Sequence, residues 1–235
     1  EILWPDGESY LALQKSIVNE GQASFQSEKQ NDPYDPTRQI FDMNAAKRFK
    51  VEYEPDGKFK GYRWLDGSDR FVPISDIVRI VAFHDPALAE SKTGDYAALV
   101  VCAGDMSGYL YCLDAYIEKV SPSRQIEQAF AMHEKWDMDV LYLEANCFQG
   151  VLKDAYRSRQ EADSTLRITD VKQHHNKEKR ISSLEPLVTN GRLLFNEDLN
   201  PRLISQMQLF PTDHDDGPDA LHGAVEELKK KVGRY

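Results

Sequence analysis

Four carboxylates stand at positions where they could do chemistry. Asp85 closes the apolar run "IVAFHD", Glu144 interrupts "LYLEAN", and Asp216 and Asp219 lie three apart in "DDGPDALHG". An unpaired carboxylate at the end of a buried strand is costly to desolvate. Several of them at one point would repel one another and raise their own pKa values unless cations neutralise them. Hard, oxygen-ligated Mg²⁺ or Mn²⁺ suits such a cluster. Two such ions about 4 Å apart can activate a water and stabilise the leaving oxygen in phosphodiester cleavage. Each acid also has a plainer reading. Asp85 could cap a turn, and Glu144 could pair with a lysine or arginine. Asp216 could be a helix N-cap, with Asp219 complementing the helix dipole.

The elements around these residues decide whether they meet. Three strand-like runs follow one another at Ile77–Asp85, Tyr96–Ala103 and Tyr109–Ile117, the last two joined by the turn composition "GDMSG". Ser121-Pro122 is an N-cap followed by proline at the first helical position, and Ile126, Ala129, Phe130, His133 and Trp136 follow at helical spacing. A short apolar run at 139–145 reads as a buried parallel strand. A helix from about Val151 to Arg159 and a strand at 167–171 follow. Asn176 can cap one helix that runs to Gly191 and carries Ile181, Leu184, Leu187 and Val188. A strand at 193–195, a helix opened by Asn200-Pro201, and a final helix from near Asp216 complete the pattern.

Consecutive strands pair antiparallel and later β-α-β units add parallel strands, so the expected fold is α/β, a mixed central sheet with helices on both faces. Asp85 and Glu144 then end neighbouring strands at the sheet edge where ligand sites of open α/β folds form. Before residue 75 the chain reads differently. Residues 1–50 are polar and mostly helical in pattern, broken by "NDPYDP", and 51–72 carry aromatic alternation around "PDG" and "DG", as in a hairpin or small sheet extension. The expected division is therefore a lead-in and extension over 1–75 and a main domain over 76–235. The aromatic stripe Tyr109, Tyr111, Tyr116 and Phe130 reads as core.

Composition narrows the class. The formal net charge of −10 speaks against a dedicated nucleic-acid-binding module but not against an enzyme that gathers carboxylates around metal ions. Basic residues concentrate in "KQHHNKEKR" and "KKKVGR", each readable as a solvated helix face or a DNA contact. Three scattered cysteines without C-x-x-C spacing argue against structural zinc and for a reducing compartment. No apolar run approaches a membrane span, so no membrane partner is expected. No G-x-x-x-x-G-K-[ST] phosphate loop occurs, and the chain opens on Glu1 without Met, which leads us to expect a fragment of a longer protein. No Ser-His-Asp or Cys-His arrangement supports nucleophilic hydrolysis.

The combination "DPALAESKTGDYAALVV", "LYLEANCFQG", "NKEKRISSLEPLVTNGRLLF" and "DDGPDALHG" resembles the C-terminal nuclease domain of the large terminase subunit of tailed bacteriophages, the DNA-packaging enzymes. Upstream, "LWPD" and "ASFQSEKQNDP" are similar to the segment leading from motor to nuclease in that family. The resemblance implies an RNase H-like fold and a two-metal endonuclease that cuts concatemeric viral double-stranded DNA with little sequence preference. By motif, Asp85 matches the first-strand aspartate, Glu144 the second acidic ligand, and Asp219 the aspartate of the last helix. Asp216 is a further ligand candidate and Asp95 an accessory one. Lys177, Lys179 and Arg180 fall in the family's basic stretch as candidates for phosphate contact. The cofactors implied are two Mg²⁺ or Mn²⁺ ions. The partners implied are an ATPase motor domain in the full-length protein, the small terminase subunit and the portal, in the cytoplasm of the infected bacterial host.

Rival readings remain at this stage. A Holliday-junction resolvase or transposase-like nuclease would share the fold. An actin-like ATPase needs a glycine-rich turn after its first-strand aspartate, where this chain offers only Gly94. A non-catalytic docking module would use the acids as caps and ion pairs.

Overall fold

A computed structural model of the chain describes Lys15 and residues 39–87, 96–144, 151–163, 165–173 and 176–232. Among these residues the strands are β1 (Arg48–Tyr53), β2 (Phe59–Trp64), β3 (Phe71–Pro73), β4 (Ile77–Asp85), β5 (Ala97–Asp105), β6 (Leu110–Glu118), β7 (Val140–Glu144), β8 (Arg167–Val171) and β9 (Leu193–Asn196). The α-helices are α1 (Pro122–Trp136), α2 (Val151–Asp163), α3 (Lys177–Ser182), α4 (Glu185–Thr189), α5 (Pro201–Leu209) and α6 (Asp216–Val232). None of the described helices is long and apolar enough to cross a membrane.

All nine strands join one mixed sheet in the order β3-β2-β1-β9-β6-β5-β4-β7-β8. The β4–β5–β6 meander is antiparallel, and β7 lies parallel beside β4 with Val81 opposite Val140 and His84 opposite Leu143. Asp85 and Glu144, each one residue further on, therefore leave the sheet at the same edge. This α/β architecture is the one expected, with helices on both faces.

Period-two alternation sorts β4 and β7 between two cores. Val81, Phe83, Val140 and Tyr142 face a core filled by Ala220, Leu221, Ala224, Val225 and Leu228 of α6. Ile80, Ala82, Leu141 and Leu143 face the other core, with Ile126, Ala129, Phe130 and Trp136 of α1 and Leu152 and Tyr156 of α2. Continuing the alternation puts Asp85 and Glu144 on the α6 side and His84 on the α1–α2 side. The aromatic stripe is core as read, with Tyr111 and Phe130 buried and Tyr109 and Tyr116 packed against them.

Three local expectations need correction. Residues 48–50, read as the end of a polar helical stretch, are strand, because Phe49 packs edge-on against Tyr62 and Tyr111 at 5.0 and 5.3 Å. The helix expected from Asn176 to Gly191 is two short helices. Pro186 lacks the N–H that a continuous helix would need there, so α3 ends at Ser182 and α4 starts at Glu185. Within α1, Gln125 and Met132 are buried where His133 was expected to face inward; His133 lies half-buried beside Thr165.

Candidate metal centre

Three elements converge at the edge where β4 and β7 end. Asp85 terminates β4, Glu144 terminates β7, and Asp219 lies in the first turn of α6. Each offers a carboxylate oxygen, and these oxygens lie within 4.8 Å of one another. Asp219 is 2% exposed, while Asp85 and Glu144 are half-buried.

The position of α6 explains how Asp219 reaches the strands. A Cβ added at Gly223 would come within 2.5 Å of the Phe83 ring, and one at Gly217 would come within 2.6 Å of Ile117. Glycine at both positions lets the helix lie directly on the sheet. Gly217 N–H donates to the buried Gln206 side chain at 2.9 Å, supplying one of the partners a helix start lacks. The helix dipole favours the two acids of that first turn.

The electrostatics are those of a crowded acid cluster. Burial, then the Glu144 charge, push the Asp85 carboxyl well above the usual carboxylate range, against a smaller pull from Lys177. Among the described residues no hydrogen bond to the Asp85 carboxyl forms. Burial also raises Asp219, and here Arg180 opposes it. The Arg180 guanidinium grips Asp219 with both Nη2 contacts, at 2.8 Å to Oδ1 and 2.7 Å to Oδ2. Lys177 lies 2.8 Å from Asp215, 3.7 Å from Asp216 and 3.9 Å from Asp219. Burial works against its charge, but these three acids outweigh it and raise the ammonium pKa. Asn176 caps α3 by accepting from Lys179 N–H at 3.2 Å, which turns Lys177 and Arg180, three residues apart, onto one face toward α6.

The other candidates divide. Asp216 is buried but is not one of the three converging acids: its Oδ2 accepts from Tyr96 N–H at 3.3 Å, with His214 at 3.9 Å. Lys179 points to solvent. Asp95 lies outside the described residues, as do His174, His175, Cys147 and the upstream stretches "LWPD" and "ASFQSEKQNDP". Sequence reasoning missed Asp215, which holds Lys177, and the direct pairing of Arg180 with Asp219. It also missed what His84 does. The ring is buried on the far face of β4, hydrogen-bonded to the Tyr156 hydroxyl at 2.9 Å, and desolvation lowers its pKa to about 4. The helical i, i+3 spacing of Lys177 and Arg180 was a usable signal; the 72-residue separation of His84 and Tyr156 gave none.

The donor set fits a hard divalent cation. It consists of carboxylate oxygens only, with no Cys or His in the group, set at the rim of a sheet.

Residues 85–193 match the family model described as Terminase Bacteriophage T7, Ribonuclease H-like domain. The match starts at Asp85, includes Glu144, and stops before α6. Among solved structures, the large terminase from the thermophilic bacteriophage D6E superposes with a TM-score of 0.60 at 10% identity, over 94% of this chain and 53% of that one. The same terminase in complex with ADP gives 0.58 at 11% identity, over 94% and 52%. The human cytomegalovirus terminase nuclease domain gives 0.48 at 13% identity, over 64% and 83%. The chain thus spans about half the length of the D6E protein, and that likeness shows the fold. No curated protein matches the chain. The resemblance to terminase nuclease domains drawn from the sequence holds.

Proposed function

From a terminase RNase H-like fold, we propose that the chain is a divalent-metal-dependent DNA endonuclease that cuts viral DNA during genome packaging. The observation that carries this reading is the convergence of Asp85, Glu144 and Asp219, from three separate elements, to within 4.8 Å at one sheet edge. Asp85, Glu144 and Asp219 would hold two Mg²⁺ or Mn²⁺ ions, with Asp216 and Asp95 as accessory groups. When bound, such ions supply a polarised water and neutralise charge at the scissile phosphate. Asp85 would hold an ion together with Glu144 and Asp219, whose carboxylate oxygens lie within 4.8 Å of its own. Its raised pKa is what such a group shows without cations: burial first, then the charges of Glu144 and Asp219, disfavour the ionised form. Arg180 and Lys177 supply positive charge beside the acids, where a phosphodiester would approach. Lys179 extends that charge into solvent.

The cutting we propose is hydrolysis by in-line attack of water, leaving a 5′-phosphate and a 3′-hydroxyl, with little dependence on sequence. We further propose that residues 76–235 form the nuclease unit. In a longer protein an ATPase motor, the small terminase subunit and the portal would be its partners, in the cytoplasm of the infected host.

The test is cutting of supercoiled plasmid in Mn²⁺ by the purified chain and by Asp85→Ala and Glu144→Ala. Each substitution is expected to lower the rate by about a thousand-fold or more, since a catalytic ion contributes several kcal/mol, while circular dichroism stays unchanged. Undiminished cutting by either variant would overturn the site. Preference for a four-way junction over linear duplex would move the assignment to a resolvase.

A further inference from the structure

Asp219 is already held by a cation that the chain itself supplies. The Arg180 guanidinium spans both of its oxygens, at 2.8 and 2.7 Å through Nη2 and at 3.3 Å through Nε. The side chains of Arg180 and Asp219 are 11% and 3% exposed, so little water screens the pair. A carboxylate has two oxygens, and a divalent ion needs at least one of them at about 2.1 Å. An ion that close would also meet the guanidinium as a like charge, and arginine cannot relieve this by losing a proton. Asp219 keeps a lone pair for an ion, but an ion on either oxygen would stand against the guanidinium, so Arg180 in this geometry competes with it.

Lys177 is placed differently. Its closest partner is Asp215, at 2.8 Å, and it stands 3.9 Å from Asp219, so it can stay while an ion enters. Arg180 has to move. A phosphodiester also offers two anionic oxygens, and the guanidinium fork can pair with them as it pairs with a carboxylate.

We propose that Arg180 fills the coordination positions of Asp219 in the metal-free protein and gives them up when a DNA phosphate takes its place. Loading of the acid cluster with divalent ions is then coupled to the presence of DNA. This rests on the metal-centre reading above and adds an order of events to it. Coupling of this kind is reciprocal: DNA tightens ion binding, and ions tighten DNA binding by the same factor. The ion pair is a built-in competitor that keeps the centre poorly loaded while no DNA is present.

The experiment titrates Mn²⁺ into the full chain and into Arg180→Gln by calorimetry, with and without a short DNA duplex shown on a gel to be intact afterwards. Without DNA, Arg180→Gln is expected to bind Mn²⁺ about ten-fold more tightly than the unaltered chain. The duplex is expected to tighten Mn²⁺ binding by the unaltered chain about ten-fold and that of Arg180→Gln hardly at all. Equal or weaker Mn²⁺ binding by Arg180→Gln without DNA overturns the proposal while leaving the metal centre intact. If Arg180→Gln loses its circular dichroism, Arg180→Lys takes its place. Lysine keeps the charge but not the fork, so an intermediate tightening is expected, and no change overturns the proposal. If no variant takes up Mn²⁺, the metal-centre reading falls, and this inference with it.

Discussion

Two aspartates end adjacent antiparallel strands and so stand at opposite edges of the sheet: Asp85 at the end of β4 and Asp105 at the end of β5. Both interrupt apolar runs. Asp105, 1% exposed, is surrounded by donors: Tyr111 Oη–H at 2.8 Å to Oδ2 and Tyr109 N–H at 2.8 Å to Oδ1. Trp64 Nε1–H donates in turn to the Tyr111 hydroxyl at 3.4 Å. Asp85 is surrounded by acids instead. The fold supplies donors to Asp105, whereas among the described residues Asp85 receives no hydrogen bond on its carboxyl. Asp105 carries its own donors; Asp85, the acid proposed to hold a cation, is crowded with further acids. That contrast separates the two more clearly than their difference in burial, Asp85 being half-buried and Asp105 fully buried.

Substitutions at the two edges should act in opposite directions. Asp105→Ala strands the Tyr109 N–H and the Tyr111 hydroxyl and should cost about 3 kcal/mol. Urea denaturation would read this, with Mn²⁺ affinity unchanged. A collapse of ion binding in this variant would mean that the two edges are not independent. Next in size, Gly223→Ala drives a methyl into the Phe83 ring and lifts α6 from the sheet, costing about 2 kcal/mol. It should weaken Mn²⁺ uptake as well, because Asp219 moves with the helix. Unaltered ion affinity at lowered stability would show that the close approach of α6 serves packing alone.

The smallest effect has the reverse sign. Asp85→Asn removes a crowded charge and should stabilise the metal-free chain by about 1 kcal/mol while abolishing its stabilisation by Mn²⁺. Its pH dependence follows from the raised pKa. The unfolded carboxyl titrates near 3.8 and the folded one well above it, so the folded state holds the proton longer. The Asp85 contribution to metal-free stability is therefore greatest below about pH 3.8 and is lost as pH climbs through the raised folded value. Thermal melts in a chelator should show this fall in the unaltered chain and a flatter profile in Asp85→Asn. A metal-free Asp85→Asn that melts lower than the parent would erase the contrast with Asp105.

The sequence carried a good part of this arrangement. β4 at Ile77–Asp85 and β8 at Arg167–Val171 were legible to the residue, from the apolar and β-branched residues concentrated in each. The meeting of Asp85 and Glu144 followed from strand order, since a parallel strand laid beside β4 brings both C-terminal ends to one edge. What could not be read was pairing between distant segments. β1 attaches to the sheet through Arg48 opposite Phe195, and no local pattern announces a partner so far along the chain. The grip of Arg180 on Asp219 spans 39 residues and depends on how α3 docks against α6, which periodicity does not encode. The break between α3 and α4 was legible from Pro186, but the continuous apolar spacing of Ile181, Leu184, Leu187 and Val188 outweighed it.

The order in which the three acids appear along the polypeptide has a consequence for biosynthesis. Asp85 and Glu144 are synthesised before the third member of the trio, which lies on α6, a helix whose Gly223 rests against Phe83. A nascent or truncated product lacking that helix carries only two of the three acids. On the function proposed above, a product of that kind would lack one of the three carboxylates the ions need, and cutting would wait for α6.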